Sequence, residues 1–160
     1  MDMTNKIPNS CKVVVIGGGV AGCSTAYHLA KFGWKDTVLL ERDVLTSGTT
    51  WHAAGLIGQL GSSSTITRLR NYSLNLYKEL EKETGLSTGL KQNGSLTVAT
   101  TSDRLEELKR QLTFAQRFEI AAREVDKDEI KEIYPLINTN DVVGGVFITK
   151  DGQADPIGVA

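Results

Sequence analysis

The glycine-rich stretch IGGGVAG at residues 16–22 restricts the fold of this chain more than any other feature. It follows an apolar, β-branched run, KVVVI, which predicts a fully buried strand in a parallel sheet. It leads into VAGCSTAYHLAKFG, whose apolar residues recur at helical spacing and whose Gly33 predicts the end of a helix. A second buried strand, DTVLLE, comes next. This order predicts a right-handed βαβ unit and an α/β fold of Rossmann type.

The glycines have the spacing G-x-G-x-x-G of a phosphate-binding turn. Gly17 permits the tight turn, Gly19 lets the backbone approach a pyrophosphate, and Gly22 lets the helix pack closely on the strand. We expect the N–H groups of Val20 and Ala21 to be free and to point at the anion, with the helix dipole helping. The turn therefore predicts a dinucleotide site.

Glu41 ends the second strand, 19 residues after Gly22. Its carboxylate is placed to accept hydrogen bonds from both hydroxyls of an adenosine ribose, and it disfavours the 2′-phosphate of NADP. These features do not decide between FAD and NAD, so a generic NAD-binding dehydrogenase stays open as an alternative.

Composition excludes other classes of protein. The formal net charge is −1, and no cluster of Lys and Arg is interleaved with aromatic residues, so we expect no nucleic-acid partner. No apolar run approaches the roughly 20 residues of a membrane-spanning helix. Cys11 and Cys23 are expected to be reduced thiols in a cytoplasmic protein, or in the mitochondrial matrix if a transit peptide precedes this chain. Asp155-Pro156 looks like the start of a helix that is cut off, which suggests the N-terminal part of a longer protein.

The rest of the chain alternates helices and strands. We predict a loop over 46–64, followed by a helix over 65–84 that ends at Gly85. A second helix is predicted from a Ser102 cap to about Ala122. A third, short helix is predicted in DKDEIKEIYP, with a capping box of Asp126 and Glu129 at its start and a stop at Pro135. GSLTVAT, REV and VVGGVFITKDG are predicted strands. The domain prediction is a tail at 1–11, the βαβ unit with its cofactor loop at 12–64, and the start of an α+β substrate or cap region at 65–160.

The stretch SGTTWHAAGL at residues 47–56 places a bulky Trp-His pair in a loop of small residues. With VVVIGGGVAGCSTAYHLAKFG, LLERDVL, NGSLTVATT, EIKEIYPLI and GGVFITKDGQADP, it resembles the flavin-dependent amine-oxidising family that includes D-amino-acid oxidase and sarcosine oxidase. Within that family the chain is most similar to the dehydrogenases of dimethylglycine and sarcosine. The Trp-His-Ala-Ala-Gly block is far more specific than the glycine motif.

The resemblance implies that FAD lies across the glycine turn, with its pyrophosphate at Val20 and Ala21, its ribose at Glu41 and its adenosine end beside Arg42. The wrapping segment would consist of Gly48, Thr49, Thr50, Trp51, His52, Ala53, Ala54, Gly55 and Leu56. His52 would be joined covalently to the flavin 8α-methyl carbon. Trp51 would pack beside the cofactor or simply anchor the loop.

The implied reaction is hydride transfer from an N-methyl C–H of a small N-methylated amino acid to FAD. The resulting imine would be hydrolysed, or its one-carbon unit passed to tetrahydrofolate in a further C-terminal domain. We nominate no catalytic residue, no metal ligand and no electron acceptor. Arg68 and Arg70 are better explained as a solvated helix face than as carboxylate binders, and His28 as a helix-packing or partly exposed residue. An inactive fragment that keeps the FAD fold is the remaining alternative.

Overall fold

The computed structural model describes residues 8–160, so residues 1–7 of the predicted tail lie outside the described residues. The chain forms two compact units, one that runs up to Ala54 and includes Pro156–Ala160, and one that consists of Gly55–Asp155. The domain boundary predicted at residue 64 stays a prediction. Among residues 8–160, no helix combines the length and apolarity that crossing a membrane requires.

The first unit contains the predicted βαβ element, formed by β1 (Val13–Ile16), α1 (Val20–Lys31) and β2 (Thr37–Leu40). The two strands are parallel, with Val13 opposite Thr37 and Ile16 opposite Leu40. After the helix, Gly33 adopts a φ of 87°, a left-handed conformation that glycine reaches without strain. The parallel pairing and the helix stop are therefore confirmed.

The predictions that the first strand is fully buried and that the second strand is buried are both wrong, since no residue of β2 is buried and Leu40 is 38% exposed. No residue of β1 is buried, and Ile16 is 86% exposed. Side chains alternate between the two faces of a strand, and Val15 lies on the face against α1, close to Gly22. Val14 and Ile16 lie on the other face and are open to solvent. A parallel strand is buried only where both faces are covered.

The second unit contains two small antiparallel sheets and three helices. In chain order the elements are β3 (Leu56–Ile57), α2 (Ser64–Thr84), β4 (Ser95–Ala99), α3 (Ser102–Gln116), β5 (Ala122–Val125), α4 (Lys127–Ile133), β6 (Gly144–Ile148) and β7 (Gly152–Gln153). Strand β6 lies between β4 and β5, and β3 pairs with β7. The three predicted strands of this region are confirmed, and the chain as a whole has a mixed α/β fold.

The core of the second unit lies where its helices meet the larger sheet. Leu108 of α3 is 1% exposed and packs with Ala99 and Val146 of the sheet. Ile130 of α4 is completely buried and packs with Val125 at the end of β5. The apolar positions of both helices therefore bury one face of each helix on the sheet.

The predicted limits of helix α2 are confirmed, because the capping residues that set its two ends are close to them in the sequence. The Ser63 hydroxyl accepts a hydrogen bond from the N–H of Ile66, and Gly85 ends the helix with a φ of 72°. Helix α4 likewise has both hydrogen bonds of the capping box between Asp126 and Glu129, and it ends just before Pro135.

Helix α3 departs from its prediction at both ends. Its cap is Thr101, whose hydroxyl accepts from the N–H of Arg104, and Ser102 is the first helical residue. It ends at Gln116 rather than near Ala122, because Glu119 turns into the left-handed region with a φ of 55° and the N–H of Ile120 bonds back to the carbonyl of Ala115. This is the hydrogen-bond pattern of a Schellman motif, which closes a helix without requiring glycine.

Candidate cofactor site

The glycine turn has a geometry that only glycine permits at its two ends. Gly17 has a φ of 103°, and its N–H donates to the carbonyl of Leu40 at 2.8 Å. A Cβ added to Gly22 would lie 1.8 Å from the carbonyl oxygen of Gly17. The roles predicted for these two glycines, the tight turn and the close helix–strand approach, are confirmed.

Gly18 lies at the centre of the turn, although the motif allows any residue at its position. It is buried, and its N–H donates to Oε2 of Glu41 at 2.7 Å. Its carbonyl accepts from the N–H of Thr46 at 2.9 Å and from Sγ of Cys23 at 3.4 Å. A Cβ here would meet the side chain of Leu45 at 2.5 Å. Sequence reasoning missed this residue, and its only signal was a third consecutive glycine.

Glu41 links the turn to the end of β2. Its carboxylate also accepts from the N–H groups of Arg42 at 2.7 Å and Asp43 at 3.2 Å. These three hydrogen bonds lower the pKa of Glu41, and the bond from Gly18 has the largest effect. The carboxylate is therefore ionised at neutral pH. A carboxylate has about four acceptor positions, so these three bonds leave capacity for a further donor.

The start of α1 differs from its prediction in one respect. The N–H of Val20 is not free, because it donates to Oγ1 of Thr50 at 3.0 Å. Thr50 is 8% exposed, and its hydroxyl would lie 2.9 Å from a Cβ added to Gly19. Within residues 8–160, the N–H groups of Ala21 and Gly22 meet no acceptor. The helix end therefore offers an anion two N–H groups, with a hydroxyl beside them.

The segment after β2 is bonded to the glycine turn at both of its ends. Thr46 is buried with a φ of 68°, which is rare for a β-branched residue, and its N–H bonds to Gly18. Thr50 bonds to the start of α1 and begins a short 3-10 helix, Thr50–His52. The predicted loop thus contains one ordered turn that places His52 at its end.

Trp51 and His52 stack on each other at the surface of this turn. Their ring centroids are 3.8 Å apart and their planes differ by 32°. The indole N–H of Trp51 donates to the carbonyl of Ser47 at 3.1 Å, as expected of a residue that anchors the loop. Both side chains are exposed, and among the described residues neither imidazole nitrogen of His52 has a hydrogen-bond partner. A nitrogen of this ring is thus accessible to an electrophile.

The other predicted cofactor residues are at the surface or in the second unit. Arg42, Gly48, Thr49, Ala53 and Ala54 are exposed. Gly55 and Leu56 begin the second unit, where the carbonyl of Gly55 accepts from the N–H of Ala154 and Leu56 is part of β3. Their contacts with a cofactor stay predictions.

His28 and the two cysteines behave as predicted. His28 is half-buried on α1, with Nδ1 2.6 Å from the carbonyl oxygen of Ser24. Cys11 and Cys23 are both free thiols, and burial raises the pKa of Cys23.

Asp151 is a buried carboxylate in the second unit that sequence reasoning missed. It is 3% exposed and accepts from the N–H of Gln59 at 2.8 Å and from the hydroxyl of Ser95 at 2.6 Å. Its partners are distant in the chain, so no local pattern reveals it.

A family model described as DAO, FAD dependent oxidoreductase, matches residues 12–160. The human mitochondrial sarcosine dehydrogenase is 45% identical over 153 residues, which is 95% of this chain and 17% of that protein. The human mitochondrial dimethylglycine dehydrogenase is 43% identical over 145 residues, 91% of this chain and 17% of that protein. The mouse mitochondrial pyruvate dehydrogenase phosphatase regulatory subunit is 39% identical over 154 residues, 96% of this chain and 18% of that protein. The chain thus spans less than a fifth of the length of these relatives.

Among solved structures, the L-proline dehydrogenase from P. horikoshii superposes with a TM-score of 0.86 and 30% sequence identity. The match covers 94% of this chain and 39% of that enzyme.

Proposed function

The chain belongs to the FAD dependent oxidoreductase family known as DAO, and from this premise we propose that it is part of a flavoprotein that oxidises small N-methylated amino acids. The family decides between the two cofactors that the glycine turn left open, in favour of FAD. The substrate class follows from the relatives named sarcosine and dimethylglycine dehydrogenase.

One structural observation carries the proposal. The segment that ends in His52 is tied to the phosphate-binding turn by two hydrogen bonds, from Thr46 to Gly18 and from Val20 to Thr50. The histidine and the anion site are therefore held by one small element of the first unit. Such an element suits a ligand with a pyrophosphate at one point and a reactive ring farther along.

The residues present fit FAD. The N–H groups of Ala21 and Gly22 would hold a pyrophosphate oxygen, and the absence of a Cβ at Gly19 would let the backbone approach it. Glu41 would accept a hydrogen bond from the adenosine ribose through its remaining lone pairs. His52 would form the covalent bond to the flavin methyl carbon, and Trp51 would hold the imidazole in place. When bound, FAD would accept a hydride from the N-methyl carbon of the substrate.

The test is the state of the flavin in the purified protein. We expect a bound flavin that stays with the polypeptide after acid precipitation. His52→Ala is expected to leave a flavin that acid releases, whereas His28→Ala, a change at the other histidine, is expected to keep the covalent bond. A flavin that remains covalent in His52→Ala would exclude His52 as the attachment site. A colourless protein that binds NAD would overturn the proposal itself.

The likeness to a phosphatase regulatory subunit favours a second candidate. In this case the chain would keep the FAD-family fold and serve a regulatory role without oxidising amines. Anaerobic addition of sarcosine or dimethylglycine distinguishes the two: bleaching of the flavin supports the oxidoreductase, and an unchanged flavin spectrum supports the regulatory protein.

The compartment and the fate of the product are part of the same proposal. Two free thiols suit a reducing compartment, either the cytoplasm or the mitochondrial matrix. The related sarcosine and dimethylglycine dehydrogenases are named as mitochondrial proteins. The one-carbon unit would be released by hydrolysis of the imine or passed to tetrahydrofolate elsewhere in the protein.

A further inference from the structure

Trp51 is held beside His52 by the turn that the two residues share. Its indole N–H donates to the carbonyl of Ser47 at 3.1 Å. The preceding residue, Thr50, is 8% exposed and accepts from the N–H of Val20, which fastens the start of this turn to the start of α1. The indole is therefore restrained at both its ring nitrogen and its main chain, although the side chain is 53% exposed.

The imidazole of His52 depends on that indole for its orientation. The main-chain N–H of His52 donates to the carbonyl of Thr49 at 3.2 Å, which fixes the backbone but not the ring. Within residues 8–160 neither ring nitrogen has a hydrogen-bond partner, whereas the ring stacks on Trp51 with centroids 3.8 Å apart and planes 32° from parallel. The stack is thus the contact that restricts rotation of the imidazole.

A stacked indole leaves the reactive positions of an imidazole open. The lone pair of an imidazole nitrogen lies in the plane of the ring, whereas the indole covers a face of the ring. The π-face of an aromatic side chain is electron-rich, and among these side chains tryptophan stabilises an adjacent cation best. Trp51 can therefore orient His52 and stabilise positive charge on it without blocking either nitrogen.

We propose that Trp51 is a positioning residue for the attachment of His52 to the flavin, an inference that rests on the proposed function. Joining an imidazole nitrogen to the 8α carbon breaks one C–H bond of the methyl group and the N–H bond of the ring. Dioxygen takes up the two electrons and the two protons and becomes hydrogen peroxide. The imidazole is positively charged after the C–N bond forms and before the ring proton leaves, and the indole of Trp51 stabilises this charge.

A second role for Trp51, as a wall of the cofactor site, leads to a different expectation. A side chain that only packs on bound FAD changes the FAD concentration at which attachment reaches half its maximal rate. A residue that orients the nucleophile changes the rate of attachment at saturating FAD. The two roles are therefore separated by measuring the attachment rate as a function of FAD concentration.

The test follows attachment in time. Protein produced in cells limited in riboflavin is mixed with FAD in air-saturated buffer, and the flavin that stays with the acid-precipitated polypeptide is measured at intervals. Trp51→Leu is expected to slow attachment at saturating FAD by about 10- to 100-fold, because the imidazole loses its orientation and its neighbouring π-face. The half-saturating FAD concentration is expected to stay within about 2-fold of the wild-type value.

Two matched variants separate the stack from other effects. Trp51→Phe keeps an aromatic face but loses the hydrogen bond to Ser47, and it is expected to slow attachment by only about 2- to 5-fold. Trp34→Leu removes the other tryptophan of the chain, which is 50% exposed and belongs to the same unit, and it is expected to leave attachment unchanged. If Trp51→Leu fails to fold, Trp51→Met replaces it, because methionine fills similar space without an aromatic face.

Three results would overturn the role of Trp51. The first is an equal rate of attachment at saturating FAD in the wild type and Trp51→Leu. The second is a change confined to the half-saturating FAD concentration, which would make Trp51 a wall of the cofactor site. The third is a wild-type protein whose flavin is released completely by acid.

Failure of the proposed function has a different signature. If attachment depends on Trp51 but the protein oxidises no N-methylated amino acid, the proposed function is refuted and the role of Trp51 stands. If the protein oxidises these substrates while attachment is equally fast in the wild type and Trp51→Leu, the function stands and the role of Trp51 is excluded.

Discussion

The contact between Gly22 and Gly17 makes Gly22→Ala the most direct test of the cofactor turn. The new methyl carbon would lie 1.8 Å from the carbonyl oxygen of Gly17. An unstrained carbon–oxygen contact is about 3.3 Å, so α1 and the turn must separate by roughly 1.5 Å. The carbonyl cannot easily rotate away, because Gly17 is in a left-handed conformation and its N–H is bonded to Leu40 at 2.8 Å.

The expected cost follows from this geometry. Overpacking of a close contact typically costs about 1–3 kcal/mol, and a backbone atom that cannot yield places this site at the upper end, about 3 kcal/mol. The separation also displaces the N–H groups of Ala21 and Gly22, so we expect the flavin content of the purified protein to fall sharply. A cost of about 3 kcal/mol is a large part of the free energy of unfolding of a typical domain, which is about 5–15 kcal/mol.

Urea unfolding followed by far-UV circular dichroism measures the free-energy change, and the visible spectrum measures flavin content. Gly48→Ala is the matched control for stability, because a Cβ there meets nothing within 4 Å, and we expect a change within about 0.5 kcal/mol. If Gly22→Ala unfolds at the same urea concentration as Gly48→Ala and retains its flavin, the close helix–strand approach does not have the role assigned to it.

Three further predictions test other parts of the structure. Thr50→Val keeps the shape of the side chain but removes the acceptor for the N–H of Val20, so it should cost about 1 kcal/mol of unfolding free energy in urea; an unchanged midpoint would contradict this capping role. The pKa of Glu41 is lowered from its ordinary value of 4.5 by three backbone N–H groups, so its stabilising effect is present above that value and is lost as the pH falls through the lowered one. The difference in unfolding midpoint between the wild type and Glu41→Gln should therefore shrink below about pH 4.5, and a difference independent of pH would count against it. Leu108→Ala removes a side chain that is 1% exposed and should cost about 2–5 kcal/mol. Leu136→Ala, at a position that is 85% exposed, serves as its control and should change stability by less than about 0.5 kcal/mol; equal effects would refute the location of the core.

Elements whose signals lie within a few residues were predictable from the sequence. The capping box of Asp126 and Glu129 acts across three residues, and the αL stop at Gly85 acts within one turn. The short apolar runs likewise identified β4, β5 and β6, whereas β3 lies in the predicted loop and β7 was not predicted as a separate strand. The same local reasoning failed at the end of α3, because Glu119 adopts the left-handed conformation without being a glycine.

The candidate site was predictable only in part. The glycine motif and the position of Glu41 indicated a dinucleotide turn, and the Trp-His block indicated a flavin protein. The sequence did not indicate that Gly18 donates to Glu41 or that Thr50 accepts from Val20. These pairs are separated by 23 and 30 residues, respectively. Which backbone groups remain free for an anion is decided by such contacts.

The sequence by itself determined the βαβ order and the glycine turn, because each depends on residue type and short spacing. Tertiary structure alone decided that β1 has an open face and that Asp151 binds Gln59 across 92 residues. The physical reason is the same in each case. Burial, hydrogen-bond partners and accessible charge depend on what packs nearby in space, and periodicity along one helix or strand contains no information about its neighbours.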